Sequence, residues 1–353
     1  MTAREPRIDI LRGCAILTIL ANHLTQVVEF GGLRGGFIPT PTRYGYSSAA
    51  ELFVILSGYM VGLVYLARPR PGRAVLRRAA TLWLYDAGLL IVVLPLLAVM
   101  TPAEAGFWRL DGYATAPIAN TLRFLSLQEA PRLLDVLQLY VKLMLLAPLA
   151  IGLHRYAPRG LIVLSVALYL VAQALTVAQL WGDPEAERSA WLDLLAWQLL
   201  FFVPMALGAR KAHVALFRAL EANRASFAVL ATLFVAAAIA KALQETGLLA
   251  EPEWWRGRYG LHLLRLGHAI LVLLLYANVL TLARRHLERR PFTAVAAIGR
   301  HSLACFLAGV LATYGLGTLW SRIGGGHLAY YLLAALSVVA TLWLARRLER
   351  AHR

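Results

Sequence analysis

Residues 82–100 read LWLYDAGLLIVVLPLLAVM, and Asp86 is the one charged side chain in this run of 19 residues. Roughly 20 apolar residues span the hydrocarbon core of a bilayer, and about ten such stretches follow one another along the chain. Of all 353 residues, 59% are apolar and 15% are charged, whereas soluble domains carry about 25% charged residues. A soluble enzyme is therefore excluded. Continuous apolar runs also differ from the weak alternation of a transmembrane β-barrel, so the sequence predicts an all-α polytopic membrane protein.

The apolar runs predict about ten transmembrane helices in a single membrane domain that covers residues 1–353. Clusters of Gly and Pro separate the runs, and no low-complexity linker interrupts the series. The predicted spans lie near 8–28, 49–66, 80–100, 133–153, 160–180, 191–209, 225–245, 261–282, 292–316 and 327–345. Such boundaries are accurate to within several residues.

The distribution of basic residues predicts how the helices are oriented, because cytoplasmic segments of membrane proteins are enriched in Lys and Arg. With a cytoplasmic N-terminus, 21 of the 35 Lys and Arg residues fall on the cytoplasmic side, nine on the opposite side and five within the spans. Both termini are therefore predicted to be cytoplasmic. The net charge of +16 reflects this topology, and no nucleic-acid partner is expected.

Ionisable side chains inside the spans are candidates for function, because a charge at the bilayer centre costs at least about 2.5 kcal/mol. His23 lies roughly 16 Å beyond Arg12 along the first span, toward the outer half of the membrane. Glu51, in the first turn of the descending second span, is expected at a similar depth. A carboxylate that accepts from one imidazole nitrogen leaves the other nitrogen as a base. A purely structural His–Glu hydrogen bond between two helices is the alternative.

Three arginines within the spans are further candidates for functional residues. Asp9 and Arg12 are spaced i,i+3 on one helical face, which permits an ion pair or a snorkelling arginine. Arg300, in the ninth span, is expected at a similar inner to middle depth, and two guanidinium groups can hold a phosphate or a carboxylate. Arg265, in the outer half of the eighth span, is either a site residue near the level of His23 or an interfacial anchor.

Five sequence blocks carry a resemblance to a known family. Residues 7–13 read RIDILRG, and ten residues separate Arg12 from His23, which resembles the Arg-x10-His signature of the acyltransferase-3 superfamily of membrane acyltransferases. The other blocks are AELFVILSGY (50–59), LQLYV (137–141), AWQLLF (196–201) and IGRHSL (298–303). Together they resemble the OpgC family, the succinyltransferases of osmoregulated periplasmic glucans.

This resemblance implies a multi-pass O-acyltransferase of the bacterial inner membrane. It implies succinyl-CoA as the donor on the cytoplasmic side and hydroxyls of a periplasmic glucan as the acceptor, with no metal. His23 matches the essential histidine of the family and is assigned as the general base, with Glu51 orienting it. Arg12, held by Asp9, and Arg300 are assigned to the CoA part of the donor.

The expected substrates suggest further binding residues. A succinyl group carries a carboxylate, and its burial requires a cation; Arg265, Arg300 and Lys142 are the candidates. Trp197 and Gln198 are expected to stack on a sugar and hydrogen-bond to it. Their alternative interpretation is an interfacial aromatic residue followed by a helix-packing amide.

Other classes of function remain open on the sequence alone. One is an acyltransferase of the same superfamily with another acyl group or glycan acceptor, and another is a proton-coupled transporter. Transporters are typically built from inverted repeats with Gly- or Pro-interrupted helices in matching halves, a pattern that this sequence does not show. Cys14 and Cys305 lie inside apolar runs, so neither a disulfide framework nor a thiolate metal site is expected.

Overall fold

The computed structural model describes residues 5–182, 190–223, 225–250 and 261–351. Within these ranges the chain forms sixteen α-helices and no strand. The helices are α1 (Pro6–Phe30), α2 (Ala49–Met60), α3 (Pro71–Val93), α4 (Pro102–Trp108), α5 (Asp111–Thr115), α6 (Pro117–Leu125), α7 (Asp135–Tyr156), α8 (Pro158–Gly182), α9 (Ala190–Trp197), α10 (Leu199–Ala209), α11 (His213–Ala222), α12 (Ala225–Glu245), α13 (Leu263–Leu282), α14 (Arg290–Arg300), α15 (Ser302–Arg322) and α16 (His327–Ala351).

The predicted all-α membrane fold is confirmed. In the described part of the chain, eight helices are long and apolar enough to cross a membrane. The pair Asp193–Ala209 and His213–Ala222 is bent by 84° and makes nine if it counts as one span. The predicted second span is a shorter apolar helix, Ala49–Tyr65, whose last five residues form a π-helix.

The predicted span at 292–316 differs from the structure, which divides this region into α14 and α15. His301 lies between them with φ −105° and ψ 30°, outside the helical range. With eleven residues, α14 is about 16 Å long and too short to cross a bilayer. The apolar run therefore contains a short helix that carries Arg300 and a separate span that begins at Ser302.

The chain divides into two compact units, each assembled from segments that are distant in sequence. The first contains Met1–Thr40, Thr81–Gln138 and Ala283–Arg353. In it, α1 packs against α14, α15 and α16. Its core includes Leu24 and Val28 of α1 together with Trp320 and Tyr330.

The second unit contains Pro41–Ala80 and Leu139–Leu282. Here α2 packs against α10 and α13, and α8 packs against α9 and α10. The contact between α2 and α10 is backbone to backbone, because a Cβ atom at Gly58 would lie 2.1 Å from the carbonyl oxygen of Phe201.

Residues 101–134 of the first unit, called the cap below, form three short helices, α4 to α6. The indole nitrogen of Trp83 in α3 donates to the carbonyl oxygen of Leu125 at 3.0 Å. The hydroxyl of Tyr314 in α15 donates to the carbonyl oxygen of Arg132 at 2.6 Å. The rings of Phe30, at the end of α1, and Phe107 stack with centroids 4.2 Å apart. The cap is thus fixed to three helices of its unit.

Candidate active site

The sequence blocks RIDILRG (7–13) and IGRHSL (298–303) of the first unit lie side by side where α1 crosses α14. A Cβ atom at Gly299 would lie 1.8 Å from the carbonyl oxygen of Asp9, and one at Gly13 would lie 2.1 Å from that of Val295. Any side chain at either glycine would therefore collide with the backbone of the other helix. The glycines in RIDILRG and IGRHSL are explained by this close approach, which brings the two blocks side by side.

Arg12 and Arg300, both assigned to the donor, lie at this crossing. The Nη2 atom of Arg12 donates to the Oγ atom of Ser302 at 2.5 Å, two residues beyond Arg300, and Asp9 is buried. The guanidinium of Arg300 contacts both carboxylate oxygens of Glu349 in α16, at 2.6 and 2.7 Å. Helix spacing in the sequence does not reveal this partner, which lies 49 residues away.

His23 lies in the other half of α1 and is half-buried. The helix around it packs against α15, with Leu20 against Gly309 and Val27 against Gly317. The preceding residue, Asn22, accepts a hydrogen bond from the hydroxyl of Thr40 at 2.7 Å. The imidazole is therefore carried by a helix that is held on both sides of it.

Glu51 belongs to the second unit and has no exposed surface. It forms a capping box at the start of α2, where its carboxylate accepts from the backbone N–H of Ser48 at 2.9 Å and from the Ser48 hydroxyl at 2.6 Å. The Nε atom of Arg265 in α13 donates to its other oxygen, and both side chains are buried. Arg265, predicted as a substrate ligand, thus neutralises the predicted orienting carboxylate. The pairing of Glu51 with His23 stays a prediction.

His268, one helical turn after Arg265, holds the segment that leads into α2. Its Nδ1 atom accepts from the backbone N–H of Ser47 at 3.2 Å and lies 2.7 Å from the Ser47 hydroxyl. Because Nδ1 accepts a backbone donor, the neutral ring carries its proton on Nε2. Helix periodicity does not reveal this role of His268, whose contacts join residues 221 positions apart.

The remaining predicted binding residues also lie in the second unit. Trp197 is buried with the Arg265 guanidinium 6.0 Å from its ring centroid. The Gln198 amide donates to the carbonyl oxygens of Ser165, at 2.8 Å, and Leu195, at 3.2 Å, which joins the turn between α9 and α10 to α8. Lys142 is half-buried, and the charge of Asp193 in α9 acts on it. Sugar binding by Trp197 and Gln198 stays a prediction.

The cap carries two groups with shifted pKa values. Glu104 accepts from Thr101, from the hydroxyl of Ser321 at 2.7 Å and from Nη2 of Arg322 at 2.9 Å. Burial acts to raise the pKa of Glu104, but these hydrogen bonds and the Arg322 charge outweigh it, so the pKa is lowered. Burial, together with the charges of Glu129 and Asp86, raises the pKa of Tyr113 to about 12.

Comparison with known proteins gives one match. A family model described as OpgC protein matches residues 4–353, which include every block quoted above. No curated protein and no solved structure matches the chain.

Proposed function

We propose that this chain, which belongs to the OpgC protein family, transfers a succinyl group from succinyl-CoA to hydroxyl groups of a periplasmic glucan. Membership of the family over residues 4–353 is the observation that carries the proposal. The eight candidate membrane spans in the described residues support an integral membrane enzyme, for which we propose the bacterial inner membrane. In this proposal succinyl-CoA binds from the cytoplasm and the glucan from the periplasm.

The transfer needs a base, because a sugar hydroxyl is a weak nucleophile at neutral pH. In the proposed step the hydroxyl oxygen attacks the thioester carbonyl carbon while His23 accepts the hydroxyl proton. The C–O ester bond forms, the C–S bond breaks, and the proton passes to the sulfur to give free CoA. Glu51 is proposed to orient His23 and to stabilise the imidazolium that forms.

The donor is a polyanion, and the crossing of α1 and α14 offers cations for it. We assign Arg12 and Arg300 to the CoA phosphates, with Asp9 holding the geometry of Arg12. Arg300 already contacts Glu349, so a phosphate group would have to displace or share this partner. The basic segment from Arg68 to Arg78 is proposed to attract CoA electrostatically.

The succinyl carboxylate needs a cation of its own when it leaves water. Of the three candidates, Arg265 is paired with Glu51 and Arg300 with Glu349. Lys142 forms no salt bridge within the part of the chain that the structure describes, although the charge of Asp193 acts on it. We therefore assign the succinyl carboxylate to Lys142, and we retain Trp197 and Gln198 as proposed glucan contacts.

The proposal is tested with purified protein in lipid nanodiscs, supplied with succinyl-CoA and an unsubstituted glucan. Release of the CoA thiol and succinylation of the glucan are measured together. Wild-type protein should show both, whereas His23→Ala should lose glucan succinylation by a factor of about 100 or more, since general bases contribute 10²–10⁴-fold.

The matched control is His286→Ala, because His286 is exposed and lies in a short 3₁₀ segment. It should retain wild-type activity. Normal activity of a correctly inserted His23→Ala variant would remove His23 from the catalytic role.

A further inference from the structure

Asp86, the charged residue within the apolar run at 82–100, lies beneath the cap. It is three residues beyond Trp83 on α3, so the two side chains share a helical face, and Trp83 donates to the cap at Leu125. On α7, Gln138 donates to the carbonyl oxygens of Phe124, at 3.0 Å, and Glu129, at 3.1 Å. Asp135 is three residues before Gln138. Two helix faces, each with one aspartate, are thus turned toward the same part of the cap.

Asp86 is 1% exposed, and neither of its carboxylate oxygens accepts a hydrogen bond from any residue that the structure describes. The carboxylates of Glu51, Glu104 and Glu349, by contrast, all have hydrogen-bond donors. A buried carboxylate without donors destabilises a fold. A structural role therefore does not explain Asp86. Its two oxygens are suited to accept hydrogen bonds from a ligand.

The surroundings of Asp86 define what kind of ligand fits. The charges of Asp86 and Asp135 both act on the phenol of Tyr314, and Trp108 stacks on the Tyr314 ring with centroids 4.1 Å apart. Two carboxylates disfavour an anion. A divalent cation would require more ligands, and the described residues contain no group of three or more His, Cys, Asp or Glu side chains arranged for a metal. A neutral molecule with several hydroxyl donors matches the two carboxylates.

Contacts along α15 place this region at the depth of His23. Gly309 lies against Leu20 and Gly317 against Val27, so α1 and α15 run parallel with a nearly constant offset. By this register, Tyr314 is level with residues 24 and 25 of α1, next to His23. Asp135 is partly exposed, so the region is not closed on every side.

We propose that Asp86 and Asp135 form a subsite beneath the cap that binds hydroxyl groups of the glucan acceptor. This inference rests on the proposed function for the identity of the glucan. Hydroxyl groups of the sugar would donate to the carboxylate oxygens. The subsite holds the acceptor at the level of the proposed base.

The test measures binding of an unsubstituted glucan oligosaccharide to the purified full chain in nanodiscs, without acyl donor. Asp86→Asn should weaken glucan binding about tenfold, because the amide nitrogen cannot accept the hydrogen bond that the replaced carboxyl oxygen accepts. Asp86→Leu should abolish glucan binding and raise the melting temperature, since an apolar side chain removes a buried carboxylate that lacks donors. Neither change should alter the affinity for succinyl-CoA.

The matched control is Asp111→Asn, an exposed acidic residue of the same cap, which should bind glucan as the wild type does. Asp135→Asn provides a second variant should either Asp86 variant misfold, and it should also weaken glucan binding. Unchanged glucan affinity in folded Asp86→Leu would overturn the subsite. Calcium-dependent stabilisation that Asp86→Leu abolishes, with glucan binding unchanged, would likewise overturn it in favour of a cation site.

The two proposals fail separately. If wild-type protein binds glucan through Asp86 but transfers no succinyl group to it, the proposed function is wrong and the subsite stands. If transfer occurs and Asp86→Leu leaves the KM for glucan unchanged, the subsite is wrong and the proposed function stands.

Discussion

At the scale of single residues, the ion pair of Glu51 and Arg265 shows how a buried charge is held in the second unit. Glu51 has no exposed surface, and Arg265 is buried beside it. Removing one partner of a buried ion pair leaves the other charge without compensation, whereas removing both can be nearly neutral.

We expect Arg265→Met to lower the free energy of unfolding by about 3–5 kcal/mol, because it leaves the Glu51 carboxylate buried with only the Ser48 donors. The double variant Glu51→Gln with Arg265→Met should recover most of this loss. Thermal or denaturant unfolding in detergent measures both. Arg322→Met is the control, since its salt bridge with Glu104 is exposed and is worth about 1 kcal/mol or less. A double variant no more stable than Arg265→Met would show that the pair is not the cause.

Both members of this pair could be identified from the sequence as candidate site residues, but their contact with each other could not. The estimated depth in the membrane predicts that Glu51 pairs with His23, and Arg265 was predicted to bind the substrate. The Glu51–Arg265 contact joins positions 214 residues apart, and helix periodicity contains no information about which distant helix supplies a partner. For the same reason, the contact of Arg300 with Glu349 could not be predicted from the sequence.

At the scale of helices, the crossing of α1 and α14 depends on two glycines. We expect Gly299→Ala to destabilise the protein by about 1–3 kcal/mol, because the added Cβ atom must move the backbone at Asp9. Gly152→Ala is the control, since a Cβ atom at Gly152 in α7 meets nothing within 4 Å. It should be neutral or stabilise by up to about 1 kcal/mol. Equal melting temperatures for the two variants would contradict the close approach described here.

The cap is expected to respond to pH through Glu104. Because the pKa of Glu104 is lowered in the folded protein, its stabilising effect is complete above the ordinary value of 4.5 and is lost as the pH falls through the folded value. The protection factors of amides in Pro102–Trp108, which are corrected for the intrinsic exchange rate at each pH, should therefore fall in acid. In Glu104→Gln the protection factors should be lower at neutral pH and should lose this acid dependence. An unchanged acid response in Glu104→Gln would assign it to another group.

The presence of the long helices could be predicted from the sequence, whereas the breaks between helices could not be predicted as well. Apolar runs predicted the long spans correctly, because length and composition alone determine whether a helix can cross a bilayer. The division of 292–316 into α14 and α15 depends on the non-helical backbone at His301. The hydropathy of the run contains no information about that conformation.

In the whole molecule, helices that pack together are often distant from each other along the chain. The segments of the first unit are separated by 40 and 144 residues, and those of the second unit by 58 residues. The all-α membrane class was predictable, since composition decides it. The interleaving of the two units was not, because it depends on which helices pair.

The predicted orientation is tested by cysteine labelling in intact cells. In a variant with Cys14 and Cys305 replaced by alanine, Thr115→Cys in the cap should react with a membrane-impermeant maleimide from outside. Ala222→Cys, at the end of α11, should react only after permeabilisation. Both positions are exposed, so access to the reagent decides the result. The reverse pattern would invert the topology derived from the 21 and nine basic residues on the two sides.

In the proposed function, this chain succinylates a periplasmic glucan with His23 as the base. The most direct measurement is mass spectrometry of the periplasmic glucan from cells that lack the chain, express it, or express His23→Ala at equal membrane levels. We predict succinyl mass increments only in cells with the wild-type chain. Unmodified glucan in those cells, or full succinylation with His23→Ala, would contradict the claim.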